Sequence, residues 1–456
     1  MADTISSLHH LYWRAGFGLS PQEWTKRQNW SIDQAIDDLF TQVQRSKPLA
    51  KVDSPSLGSM MSAESRAEAR KKERKLVGSI NYAWLMRMAS REESPLLERM
   101  TLFWHGHFAC ESKTGALAVG QLNTLRKHAL GNFRDLILAV AQDPAMIRYL
   151  NNQQNRKFKP NENFARELME LFTIGRGNYT EQDIKEAARA FTGWSSDREN
   201  NYVFRTRLHD YGEKTFMGQT GNFNGEDIVD IILQKKETAD FICRKIYRYF
   251  VNEQVDETNV QSLSNSFYKS NYDLDKLMRD LFSSNWFYAP ENRGNKIKSP
   301  IEFLAGMVRQ LGISKVNLQS AINFQRALGQ VLFRPPNVAG WPGGKSWIDN
   351  STLLLRLNLP AAILKAAELD FQLSPELEQE QKRQLKRLDV SLSLAPLAEL
   401  LAGDKPTGHY QQLAQYLLQA PAPPTPALLK GIRKTDQAMM SRMMVRIMTL
   451  PEYQLC

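Results

Sequence analysis

The sequence predicts a mainly α fold: a large multi-helix body with a small β-hairpin-like insert and long loops rich in Gly, Pro and Trp. Three observations carry this. Apolar residues recur at helical spacing over most of the chain. Strand-like alternation is confined to one short stretch. The composition, 42% hydrophobic and 24% charged with 25 Gly and 20 Pro in 456 residues, is that of an ordinary globular chain and argues against disorder. Three cysteines, Cys110, Cys243 and Cys456, lie far apart with no CxxC pair, which argues against a disulfide framework and a cysteine-based zinc site. No run approaches the ~18 apolar residues of a membrane span.

In chain order, Pro95 to Phe108 places Leu97, Met100 and Trp104 at helical spacing, and Asn123 to Val140 forms a second such run. Thr180-Glu-Gln-Asp183 is a capping-box-like start, because the threonine oxygen can accept an orphan backbone N–H while the aspartate reaches back. Its helix carries Ile184, Ala187, Ala188 and Phe191 on one face, and Gly193 stands where a helix stop belongs. Further helices are predicted over Asp227–Gln234, Thr238–Val251, Val260–Ser270, Leu274–Ser283, Pro300–Leu311, Asn317–Leu328 and Asn350–Glu368. The strand candidate is Asn201–Leu208, and Gly212–Gly225 is crowded with Gly and Asn, so irregular backbone is expected there. Breaks fall at Pro48–Met61, Arg334–Asp349 and the proline-rich Ala420–Pro426.

This divides the chain into a helical core domain over 1–420, with the insert near 195–226 and the Trp/Pro loop at 334–349, and a helical appendage over 427–456 packed on it. In the appendage Met439, Met440, Met443 and Met444 form a stripe of the kind that fills cores. The start, Met1-Ala-Asp-Thr-Ile-Ser-Ser, has neither a basic nor an apolar leader region. That predicts a cytoplasmic protein, or an exported one whose leader has been removed. The formal charge is +10, and its densest run is 66–75, with six basic residues and two acids. Without an aromatic platform or a Gly-rich loop, the run reads as a solvated helix with internal Glu–Arg pairs and argues against nucleic acid.

Four constellations stand out. In Trp104-His105-Gly106-His107-Phe108, two of only seven histidines sit two apart. On an unbroken helix they would point ~200° apart, whereas a kink at Gly106 could turn both into one pocket. Neutral imidazole serves as metal ligand or general base, and a plain aromatic core turn is the alternative. In Pro160–Thr173, Phe164, Leu168, Leu171 and Phe172 form one stripe and Asn163, Arg166, Glu167 and Glu170 the other face. Two carboxylates at i, i+3 can hold a divalent cation or share acid and base roles, unless they simply pair with arginine. Then come His209, Asp210 and Lys214, beside the Gly-rich stretch, in a setting suited to a phosphate or carboxylate but without Walker A spacing. Last, Arg334–Asp349 packs two Trp, three Pro and three Gly into sixteen residues, with Trp341 as a pocket wall and Arg334 and Asn337 as polar contacts, or else as a structural plug.

These segments, with Leu11-Tyr-Trp-Arg-Ala-Gly-Phe-Gly18, run in an order that resembles the bacterial domain-of-unknown-function family numbered eighteen-hundred. The resemblance covers most of residues 8 to 358. It implies a mostly helical architecture and no established activity. It also implies frequent export and gene neighbours that look like alkaline phosphatases or sulfatases, while the absence of a visible leader departs from that pattern.

The expectation is therefore an enzyme. His105, His107, Glu167 and Glu170 would converge on a catalytic pocket closed by the Gly212–Gly225 and Trp341 loops. The substrate would be a phosphate-, sulfate- or glycan-type anion, met by Arg166, Asn163, His209, Asp210, Lys214, Asn337 and Trp341. In one version His105, His107 and Glu167 hold a divalent metal that activates water; in the other a Glu and a His share acid/base work. The rival expectation is a non-catalytic scaffold that assists a phosphatase- or sulfatase-like protein.

Overall fold

A computed structural model describes residues 2–52, 62–364, 379, 383, 388, 390–401, 405–419 and 436–456. Helices dominate these residues, and β structure is limited to three two-stranded antiparallel sheets. The Ala420–Pro426 break, most of the Pro48–Met61 loop and the end of the Asn350–Glu368 prediction lie outside the described residues.

The central element is the helix Pro95–His107, started by Ser94, whose hydroxyl accepts the Leu97 N–H, and by Pro95 with its pre-set φ. Every residue of it except Gly106 is buried, so it is a core helix with no solvent face. Its two buried charged groups near the start are each matched: Glu98 by Arg126 and the Trp84 indole N–H, Arg99 by Glu302. Helix Pro300–Leu311 is also buried throughout, begins with a Ser299–Glu302 capping box, and stops at Gly312 in the left-handed region. Trp13 packs against its Gly306, where a Cβ would fall inside the 3.0 Å that real Cβ atoms respect. Helix Lys236–Phe250 buries Ala239, Ile242, Cys243, Ile246, Tyr247 and Phe250 and leaves Arg248 exposed.

The predicted helices recur within a residue or two in most cases, and the Thr180–Asp183 capping box starts Glu181–Ala190. Four segments differ. The Asn123–Val140 run is two helices, Gly115–His128 and Phe133–Ala141, because the Asn132 side chain caps a new start by accepting the Arg134 N–H. The Asn201–Leu208 strand shrinks to Tyr202–Phe204, paired with Trp194–Ser196, before a 3-10 turn at Thr206–Leu208. The stretch expected to be irregular contains a hairpin, Lys214–Phe216 with Gln219–Gly221, turned by Met217 and Gly218, both at positive φ.

Helix Asn163–Glu167 continues as a π-helix, Leu168–Thr173, rather than one α-helix over the whole motif. The wider turn shifts Glu170 relative to the face it would share with Arg166 on an α-helix. It also ends with the Leu171 and Phe172 carbonyls free to accept side-chain donors. At the other end of the chain, helix Gln437–Met448 buries Met440, Met443 and Met444, and the final residues pair with the segment before Pro300: Cys456 and Lys296 exchange backbone hydrogen bonds, and Lys298 N–H meets Gln454 C=O. The three cysteines are buried and free. Among the described residues, no helix is long and apolar enough to cross a membrane.

Candidate functional site

A cavity of about 430 Å³ opens beside the end of the Pro95–His107 helix. Phe103, Gly106 and His107 come from that helix, and Lys245, Arg248, Tyr249 and Glu253 from helix Lys236–Phe250 and its exit. Lys296, Ser299, Glu302 and Gln330 form another wall, and Trp341 to Gly344 with Trp347 closes the side opposite.

The two histidines do not share this space. His105 is buried among Trp84, Phe333 and Trp341, its ring 5.4 Å from that of Trp341. Its Nε2 accepts the Phe333 N–H at 3.0 Å, which leaves the proton on Nδ1, a buried atom without a hydrogen-bond partner. Burial pushes its pKa down to about 3, so the ring is neutral. Phe333 itself sits at φ +66, a strained position for a bulky residue, held by His105 on its N–H and by Ser112 on its carbonyl.

His107 lines the cavity. Its Nε2–H donates to the Phe172 carbonyl at 3.0 Å, so Nδ1 is an acceptor and takes a proton of the Lys245 ammonium at 3.2 Å. Lys245 also donates to the Leu171 carbonyl at 2.8 Å. The π-helix thus supplies both carbonyls that orient this pair. Burial and the Lys245 charge hold His107 well below the usual imidazole range, and burial lowers Lys245 to about 8. Two of the three ammonium protons are committed, and the side chain still faces the cavity.

Deeper in the wall, Glu302 accepts from Lys296 at 2.7 Å and from the Ser299 N–H at 2.6 Å, and pairs with Arg99. Burial opposes its charge, but Arg99 and Lys296 outweigh it and hold the carboxyl at about 2. Lys296 Nζ lies 4.5 Å from the Tyr249 ring centre, and Arg99 stacks on the same ring at 4.8 Å. Since Glu302 is committed to these cations, Lys245 and Arg248 give the cavity a surplus of positive charge. Glu253 is the remaining carboxylate of the lining, packed against the backbone of Gly344, where a Cβ would collide with it.

The Trp loop is docked by glycine. Gly340 sits at φ +82, and a Cβ there would overlap the Gly106 carbonyl oxygen. The missing Cβ of Gly340 thus allows backbone to meet backbone, which seats Trp341 on His105 and over the cavity. Arg334 and Asn337, at the far end of the loop, are exposed and do not line the cavity; Asn337 closes an Asx turn by accepting the Ala339 N–H.

The remaining predicted residues lie elsewhere. Arg166 pairs with Glu162 and Glu181, Glu170 with Arg176, and Asn163 is exposed. Glu167 is half-buried, with its pKa raised by that burial and by Glu170. None of these four lines the cavity. His209, whose Nδ1 meets the Thr192 carbonyl at 2.8 Å, Asp210, bound by Arg189, and Lys214 form a separate cluster. The Lys214 ammonium is buried on the Asp210 and Gly212 carbonyls. The hairpin that Lys214 begins packs on helix Glu181–Ala190, not over the cavity. Among the described residues, no group of three or more His, Cys, Asp or Glu side chains is placed to hold a metal ion.

So the structure brings together His107 and Trp341, with His105 immediately behind. Sequence reasoning missed Lys245, Arg248, Tyr249, Glu253, Lys296 and Glu302. One signal was available: Lys296 and Lys298 stand just before a Ser299–Glu302 capping box that opens a helix with a long apolar run, a placement that offers that glutamate nearby cations.

These features define a mainly helical protein with an aromatic-walled, cation-lined cavity at the end of a buried core helix. The family described as protein of unknown function (DUF1800) matches residues 10–455, and the chain belongs to it. That match takes in the C-terminal part, where no motif had been apparent. No curated protein and no solved structure matches the chain.

Proposed function

We propose that the chain is an enzyme whose cavity takes a small anionic ester, a phosphate or sulfate carried on an apolar or sugar-like body. The observation that supports this most is the Lys245–His107 pair at the cavity wall. A lysine with a pKa near 8 is poised to give up a proton near neutral pH, and His107 and the Leu171 carbonyl fix its direction. In this reading Lys245 protonates the leaving oxygen, Arg248 neutralises the anionic group, Glu253 takes a proton from the attacking water, and Trp341 and Trp347 hold the body of the substrate. His107 is a positioning residue. The metal-free version of the chemistry is favoured, because the His105 Nε2 and both His107 nitrogens are engaged by Phe333, Phe172 and Lys245.

The test is binding and turnover of 4-nitrophenyl phosphate and 4-nitrophenyl sulfate by the full chain and by Lys245→Met and Glu253→Gln variants. We expect turnover of at least one ester, reduced ~10²-fold or more in each variant at unchanged helical circular dichroism. Equal turnover in the variants, or no binding of either ester, refutes the proposal.

A second reading, a non-catalytic scaffold for a phosphatase- or sulfatase-like partner, is favoured by one observation. The Arg166–Glu162–Glu181 and Glu170–Arg176 groups are closed surface ion pairs and do not line the cavity. Ester binding without turnover would support it.

A further inference from the structure

A second concavity, of about 520 Å³, lies between helix Ala63–Ala89, helix Leu318–Ala327 and the stretch Val331–Arg334. We propose that it binds a small soluble polyanion bearing several phosphoryl groups. Among the described residues its lining includes Lys71, Arg74, Lys75, Arg326 and Arg334, with no carboxylate and no aromatic ring.

The charge surplus arises from where two acids go. The basic run 66–75 contains Glu68 and Glu73, and as bare sequence its charges look internally balanced. In the fold, Glu68 pairs with Lys72 at 3.0 Å, while Glu73 is buried and accepts the Gly115 N–H at 2.8 Å. Neither lines the concavity. Lys71, Arg74 and Lys75, at i, i+3 and i+4, remain together on one helical face. One turn further on, Gly78 keeps that face open toward Ile322, which a Cβ would approach to 3.1 Å. Arg326 and Arg334 close the cluster from the other side; Arg326 donates to the neutral Asn323 amide oxygen at 3.1 Å.

Five like charges around one groove repel one another and attract a multivalent anion more strongly than a monovalent one. Three guanidinium forks match phosphoryl oxygens in shape as well as charge. The lack of aromatic rings leaves nothing for a nucleobase to stack on. Among the described residues the exposed large apolar side chains, Phe158, Phe204 and Tyr211, are not part of the groove, so these supply it no apolar wedge for a bilayer.

The experiment is calorimetric titration of inorganic tripolyphosphate into the full chain at several salt concentrations. Affinity should fall several-fold or more between roughly 50 and 200 mM salt, because added salt screens these exposed charges. The triple variant Lys71→Gln, Arg74→Gln, Lys75→Gln should lose about tenfold or more; its three side chains are exposed, so circular dichroism should not change. Lys72→Gln, on the same helix but outside the groove, should stay within about twofold of the parent. Lys245→Met should do the same, which separates the groove from the cavity. No binding at millimolar tripolyphosphate, equal losses in the triple and Lys72 variants, citrate bound as tightly as tripolyphosphate, or displacement by a lower concentration of single-stranded DNA would each overturn the proposal.

Discussion

Alanine at position 340 tests whether the tryptophan loop is held to the core helix by a contact between two backbones. Gly340 lies at φ +82, where a residue with a Cβ pays ~1–2 kcal/mol. The added methyl also meets the Gly106 carbonyl oxygen, part of a helix whose neighbouring side chains are buried and which has little freedom to retreat. Overpacking of that kind costs ~1–3 kcal/mol. Together the Gly340→Ala change should destabilise the docked loop by roughly 2–5 kcal/mol. If the loop detaches instead, the loss appears as weaker ligand binding, since Trp341 then leaves the cavity. Gly343 is the control: its φ is −106 and a Cβ would meet nothing within 4 Å. Gly343→Ala should be neutral or stabilising by ~0.4–1 kcal/mol, through the unfolded chain. Urea unfolding followed by circular dichroism and tryptophan fluorescence, with 4-nitrophenyl sulfate binding alongside, reads both effects. If Gly340→Ala stays within about 0.5 kcal/mol of the parent at unchanged affinity, or if the two variants behave alike, the docking argument fails.

Other expectations follow from the charges. Lys245 is an ammonium below about pH 8 and neutral above it, so anion affinity should weaken as pH rises through that value, and Lys245→Met should flatten the profile; a parent profile flat from pH 6 to 10 contradicts this. Glu302 has its folded pKa depressed from 4.5 to about 2, so the stability it contributes is complete above the unfolded value and is lost as pH falls from about 4.5 toward 2. Glu302→Gln should remove that acid-sensitive component. It should also cost ~3–5 kcal/mol in chemical denaturation, because Arg99 and Lys296 would lose the buried carboxylate they share. Glu170→Gln breaks an ion pair whose arginine is largely exposed, so stability should change by no more than ~1 kcal/mol and ester binding not at all; loss of binding would return Glu170 to the site.

Much of the fold was legible in the sequence because its signals are local. The Thr180–Asp183 cap, the Pro95 start and the apolar spacing of residues 300–311 each act within a few turns of chain. Where prediction slipped, a short-range competitor had been underweighted: Asn132 recaps a helix, and Met217-Gly218 turns a hairpin in a stretch that looked irregular. The cavity was half legible. The His105-Gly106-His107 and Trp341 segments are distinctive enough to single out, and two of those side chains do meet there. Lys245 gave no such signal, since on an amphipathic helix a lysine beside the apolar stripe reads as an ordinary boundary residue.

By itself, then, the sequence determined the helical class, most element positions and the loops where unusual chemistry would concentrate, because propensity, capping and periodicity depend on near neighbours. Only the tertiary structure decided which charges face one another. It set His107 on Lys245, Glu302 between Arg99 and Lys296, and Glu73 on Gly115 rather than in the basic groove. Burial and pairing of charges depend on residues far apart in the chain, and electrostatics there is governed by distance and desolvation, neither of which a linear sequence contains.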